Sequence, residues 1–234
     1  MFFFYPTDIY YLILVIPAVL IALWAEVNVK SSFSRYNAVM NRRGLTGAMV
    51  ARQILDENGL RNIRVELTSG HLSDHYDPRA GVIRLSQSVY NSQSIGAIGV
   101  AAHEVGHAVQ HATGYAPLKL RNAIIPITSI GSNLAMPLAI FGLIFNWRPL
   151  FFAGIILFGV VVFFQLVTLP VEFNASSRAL ATLRSDGMLD ESELIGAGKV
   201  LRAAALTYVA ALLVALANLL RLLLLALSRG RRND

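Results

Sequence analysis

Of the 234 residues, 55% are hydrophobic and only 15% are charged, a balance too apolar for an ordinary soluble domain. The chain has no Cys, which excludes a disulfide framework and a thiolate metal site, so any zinc must be held by His and carboxylate. The net charge is +6, yet the basic residues are scattered without interleaved aromatics; a positive-inside bias beside a membrane accounts for them, and nucleic acid is not an expected partner.

In chain order, the first predicted element is an apolar helix from about Ile9 to Val27. It is long enough to cross a bilayer, which takes about 20 residues. The stretch before it has no Lys or Arg and no small-residue cleavage site follows, so it reads as an anchor and not a cleaved signal peptide. A polar segment from about Asn28 to Arg121 follows. Within it Thr46 is a plausible N-cap for an amphipathic helix that buries Ala48, Val50, Ala51, Ile54 and Leu55 and ends at Gly59. Ile63, Val65 and Leu67 alternate with Arg64 and Glu66, the pattern of a half-buried strand. After a turn-rich loop from His71 to Arg79, Val82, Ile83 and Leu85 form a second short strand, one that could serve as scaffold or pair with an extended substrate. The two His and two Asp of that loop read first as turn chemistry, with a substrate-lining role, and less readily as a second metal site.

The next helix, from Ser94 to His111, contains His103-Glu104-Val105-Gly106-His107. Positions i and i+4 of a helix share a face, so two imidazoles at this spacing can hold one zinc ion while Glu104 handles the proton of a water. Uncharged flanks, Ala101, Ala102, Val105, Gly106, Ala108 and Val109, suit a buried helix with only its metal face open. A catalytic zinc has three protein ligands and one open position. His111 lies eight residues from His103, about 12 Å along a helix axis, too far for one ion with bonds of about 2 Å. It is therefore expected beside the site or at the surface. Gln110 and Thr113 occupy the positions where a metzincin has Gly and its third His, which excludes that class.

Two more spans, about Ile124 to Phe145 and Leu150 to Leu169, flank Asn146-Trp147-Arg148-Pro149, predicted to be a tight hairpin turn with Trp147 at interfacial depth. Such a hairpin returns the chain to the face it left, which makes Glu172, directly after it, the expected third ligand. A carboxylate at the end of a membrane helix is costly unless paired or metal-bound. Asp190 and Glu193 form a predicted capping box for the last helix, whose apolar stretch runs from about Ala203 to Leu227. Arg221 within it must snorkel, face protein or mark a shorter span. Lys and Arg counts place both polar segments, 28–121 and 170–202, in the cytoplasm and the N-terminus outside. A fourth full crossing would then leave Arg229, Arg231 and Arg232 outside against the rule.

The residues from Gly44 to His111 resemble the neutral zinc metallopeptidases of bacterial membranes, the YugP type. The resemblance rests on Thr46-Gly47, Val50-Ala51-Arg52, Ile54-Leu55-Asp56, Asn58-Gly59-Leu60, the run Ser73-Asp74-His75-Tyr76-Asp77-Pro78-Arg79, and Ala102 through Gln110. Glu172 to Ser176 and Ala204 to Ala210 also fit, so it covers nearly the whole chain. More distantly, the pentad with a downstream Glu-x-x-Ala is similar to the HtpX and CAAX-protease membrane gluzincins. There an Asp stands four residues after the ligand Glu; here that residue is Ser176.

The resemblance implies a zinc-dependent peptidase acting on protein or peptide substrates. The expected architecture is a mainly α, integral membrane domain spanning residues 1–234. It would have about four transmembrane helices and a small cytoplasmic α+β, gluzincin-like layer containing a short β-sheet, in the cell (inner) membrane. One Zn²⁺ would be held by His103, His107 and Glu172, with Glu104 as general base. His75, Tyr76, Arg178 and Tyr208 are candidates for substrate or oxyanion contacts, and His111 and Ser176 for outer support of the ligands. The rival reading is a membrane scaffold or pseudo-protease with a structural zinc, for which Glu104 would be superfluous. A di-iron bundle would need a second Glu-x-x-His that the chain lacks.

Overall fold

The computed structural model describes residues 8–70 and 73–230 and is mainly helical with one small sheet. A π-helical turn at Tyr11–Val15 leads into α1 (Ile16–Asn37). Then come α2 (Gly47–Glu57), β1 (Arg64–Thr68), β2 (His75–Asp77), β3 (Val82–Ser86), α3 (Gln87–Tyr90), α4 (Ile95–Ala112), α5 (Ala116–Ile144), α6 (Arg148–Ser185) and α7 (Glu191–Gly230). Four helices are long and apolar enough to cross a membrane: Tyr11–Asn37, Ala116–Ile144, Arg148–Ser185 and Glu191–Ser228. Each extends beyond the apolar stretch read from the sequence into flanking polar residues. The chain divides into two compact units. One comprises the residues through Ala25, Leu120–Leu169 and those from Thr207 onward; the other comprises Glu26–Lys119 and Pro170–Leu206.

In the apolar unit, α5 and α6 form the expected hairpin, with the turn confined to residues 145–147. Asn146 takes a positive φ of 51° there, a conformation Asn tolerates better than most residues. Small residues let the two helices touch. A Cβ on Gly154 would stand 2.6 Å from Ala139 N, and one on Gly142 would stand 2.3 Å from Phe151 N. Arg221 neither snorkels nor shortens α7. Its Nη2 lies 2.6 Å from Asp8 Oδ2, its Nε donates to the same oxygen at 2.7 Å, and the guanidinium covers the Tyr11 ring at 5.1 Å. The start of the first helix and the distal part of the last therefore meet at one end of this unit. The side chain of Arg229, together with Arg231 and Arg232, lies outside the described residues.

Asp8 is only 7% exposed at its side chain. Removing its partner leaves a buried carboxylate uncompensated, at a cost of about 3–5 kcal/mol. Arg221→Leu is thus expected to lower the thermal midpoint in detergent, and Asp8→Leu added to it should restore most of the loss. A double variant no more stable than the single one would contradict the pairing.

In the polar unit α4 is the central element. Val105, Ala108, Ile98, Ala101 and Ala102 pack with Val50, Ile54 and Leu55 of α2, with Ile83 and Leu85 of β3, and with Leu183 and Val200 of α6 and α7. The expected caps of α2 are present: Thr46 Oγ1 accepts from Met49 N, and Gly59 ends the helix with φ of 72°. The structure adds a cap on α4, where Ser94 Oγ accepts from Ala97 N. Asp190 and Glu193 exchange reciprocal bonds of 2.9 and 2.8 Å.

The sheet has the order β1-β3-β2, with β3 parallel to β1 and antiparallel to β2. This corrects the idea that the Val82 to Leu85 strand receives a substrate: β3 is central and both its edges are already paired. Leu67, expected inside, is 54% exposed. Of the preceding loop's two acids, Asp77 does turn chemistry, its Oδ1 accepting from Arg79 N and Ala80 N. Asp74 instead ties the loop to the end of β3, its Oδ1 accepting from Ser86 N. His71 and Leu72, part of the same loop, lie outside the described residues.

Candidate metal centre

His103 and His107 stand one turn apart on α4, with ring centroids 4.7 Å apart and planes at 84°. Glu172 comes from α6 and is 2% exposed; its Oε2 lies 3.3 Å from His103 Nε2 and 3.6 Å from His107 Nε2. Among the described residues these three form the one group of His and acidic side chains whose ligand atoms converge, all within 4.8 Å of one another. Bonds of about 2.0–2.1 Å in a tetrahedron require ligand atoms about 3.3 Å apart, so the donor set fits zinc in both chemistry and spacing.

The approach of α6 to α4 depends on the second variable position of the pentad. A Cβ on Gly106 would stand 2.8 Å from Ala175 O and 3.2 Å from Ala175 Cα. Glycine there lets the two backbones come together, and Glu172 lies one turn before Ala175. The sequence marks Gly106 only as uncharged; its packing role becomes visible once α6 is placed against it.

Each imidazole is braced through its other nitrogen. His103 Nδ1 lies 3.1 Å from Ser176 Oγ, and His107 Nδ1 lies 3.1 Å from Gln110 Oε1. With Nε2 turned toward Glu172, the ligating tautomer carries its proton on Nδ1 and donates it to these oxygens. Ser176 thus offers His103 Nδ1 a hydroxyl oxygen as acceptor. Gln110 is fully buried and ties the assembly together, its Nε2 donating to Val171 O at 2.8 Å and to Asn174 Oδ1 at 3.0 Å. Arg178 Nε in turn donates to Asn174 Oδ1 at 2.8 Å. The sequence alone gives Gln110 and Asn174 no such role. A polar residue three places after a metal His was the available signal, but its partners lie on another helix. Gln110→Ala is expected to weaken zinc binding about 10–100-fold, read by competition with a chromophoric chelator; undiminished affinity would remove Gln110 from this role.

Electrostatics favour a cation. Burial works against a charged His107, but its hydrogen bond to Glu172 and the charges of Glu104 and Glu172 outweigh it and hold its pKa above the ordinary value. Zinc would compete for this same negative potential and must displace the proton, so its affinity falls as the pH drops below that raised pKa. Glu104 is buried at 9% exposure, is not part of the converging trio, and receives no hydrogen bond from the other described residues. Its carboxylate is thus available to a water.

The remaining candidates are dispersed. His111 does not join the trio; its Nδ1 lies 2.9 Å from Tyr76 Oη. Burial, aided by the charge of Asp77, raises the pKa of that phenol. His75 is tied through Nδ1 to Ser73 O at 2.7 Å. Tyr208, on α7, belongs to the apolar unit.

A family model described as "Putative neutral zinc metallopeptidase" matches residues 11–227. The chain is 50% identical over 223 residues to "Putative membrane protease YugP" of Bacillus subtilis (strain 168), covering 95% of this chain and 99% of that relative. No solved structure matches it.

Proposed function

The chain belongs to this zinc metallopeptidase family, and we propose that it is a membrane endopeptidase hydrolysing peptide bonds at a gluzincin-like centre. The observation that carries this reading is the convergence of His103, His107 and Glu172 beside a carboxylate that is not one of the three. When bound, zinc supplies a Lewis acid that polarises the scissile carbonyl and brings the pKa of water toward about 7. Glu104 accepts the proton of the attacking water and returns it to the leaving amine. Ser176 and Gln110 hold the imidazoles in the tautomer that leaves Nε2 free to ligate. A structural site has no use for Glu104, which is why the peptidase reading is preferred to a scaffold.

β2 presents an edge of the sheet and packs against α4. An extended polypeptide substrate would therefore join β2, not β3, by strand addition. His75 and Tyr76, both on this strand, are the nearest candidates for contacts to it. The distribution of Lys and Arg supports a reading in which the polar segments face the cytoplasm at the cell membrane.

Metal removal tests the proposal. Chelator-stripped protein is expected to stop cleaving an unfolded protein substrate, and one equivalent of zinc should restore cleavage. Equal rates before and after verified stripping would refute it.

A further inference from the structure

A second concave site lies away from the metal ligands, between the last turns of α1 and the first half of α7. It is a cleft of about 350 Å³, lined by Ser31, Ser32, Arg35, Tyr36, Lys199 and Arg202, with Leu206 at its side. That volume falls in the range of small-ligand sites, about 300–1,000 Å³. Three cations meet here, and among the described residues none has an acidic group within ion-pairing distance. The neighbouring acid, Glu26, is engaged by Lys30 at 2.5 Å. Lys199 Nζ leans toward the Tyr36 ring, 6.0 Å from its centroid, which leaves its positive charge uncancelled. A general excess of basic residues beside a membrane explains single exposed Lys and Arg. It does not explain three uncompensated cations gathered with two Ser hydroxyls in one cleft, where they repel one another unless an anion is present.

We infer that this cleft binds a phosphate group, the chemistry shared by anionic phospholipid headgroups and inorganic phosphate. Guanidinium forks and hydroxyls match phosphate oxygens in geometry and charge. Position along the helices favours the lipid. The apolar run of α1 ends at Val27, one turn before Ser31, and that of α7 begins at Ala203, directly after Arg202. On both helices the cations therefore occupy the turn where hydrocarbon-compatible sequence gives way to polar sequence, the level of a headgroup.

The test uses full-length, delipidated protein in detergent. Phosphatidylglycerol and phosphatidylcholine with the same acyl chains are titrated by native mass spectrometry, with and without inorganic phosphate. The wild type is expected to retain phosphatidylglycerol about tenfold or more over phosphatidylcholine, as three cations near a headgroup imply. The combined Arg35→Gln, Lys199→Gln and Arg202→Gln variant should lose the preference. A charge-matched control, Arg61→Gln, Arg64→Gln and Arg79→Gln, should keep it. Binding of inorganic phosphate to the wild type but not the cleft variant, with no lipid preference, would support the phosphate site and identify a soluble occupant. Equal retention of both lipids with no phosphate binding would overturn the inference, as would a folded cleft variant that keeps the preference. Should the triple variant not fold, Lys199→Gln alone must reduce the preference, and an unchanged value counts against the site.

Discussion

Glu104→Gln is expected to retain one zinc per chain while its rate of peptide hydrolysis falls by about two to four orders of magnitude, the usual contribution of a positioned general base. The substitution preserves shape and removes only basicity. Glu104 is outside the trio of ligand atoms, so metal content has no reason to change. It also contributes to the potential that raises the His107 pKa, and losing that charge should bring this pKa down, easing proton release when metal binds. Metal analysis and cleavage of an unfolded protein should be measured on the same preparation. A variant that keeps its zinc and cleaves at the wild-type rate would remove Glu104 from the mechanism. One that loses zinc would make it a ligand.

Glu172→Gln should instead lose the metal. Its carboxylate is buried and approaches both imidazoles, and an amide supplies neither the charge nor comparable basicity. The loss in affinity should exceed the about 10–100-fold typical of an outer partner, because a direct ligand is removed. His111→Ala is the matched comparison: it sits on the pentad's own helix but bonds Tyr76, so zinc should stay. Circular dichroism at matched concentration separates metal loss from unfolding. Stoichiometric zinc in Glu172→Gln, or its loss in His111→Ala, would relocate the centre.

The legible features of this chain are those whose signal is local. Thr46, Gly59 and the pair Asp190 and Glu193 announce helix ends because a cap acts within four residues of itself. The pentad is legible for the same reason. Glu172 could be reached because a membrane hairpin has few ways to run, and because a carboxylate beside a long apolar stretch calls for a partner. What stayed hidden depends on pairs distant in sequence. Strand order is one case: Val82 to Leu85 reads the same at the centre of a sheet as at its edge, and only the pairing with both β1 and β2 decides it. The partner of Arg221 is another, since Asp8 lies at the opposite end of the chain. Gln110 is the most instructive. It looks like a polar residue on a buried helix, and its purpose appears only when Val171 and Asn174 are set against it.

The close contact between Gly106 and Ala175 also bears on when the three candidate ligands can first come together. During synthesis the pentad emerges well before Glu172, with the whole α5–α6 hairpin still to be made. Until that hairpin is threaded and α6 has come to rest on α4, the chain offers two imidazoles and no third donor. Assembly of the candidate metal centre thus follows the order of the chain's own biosynthesis. A complete set of three converging side chains arrives only with the finished tertiary structure.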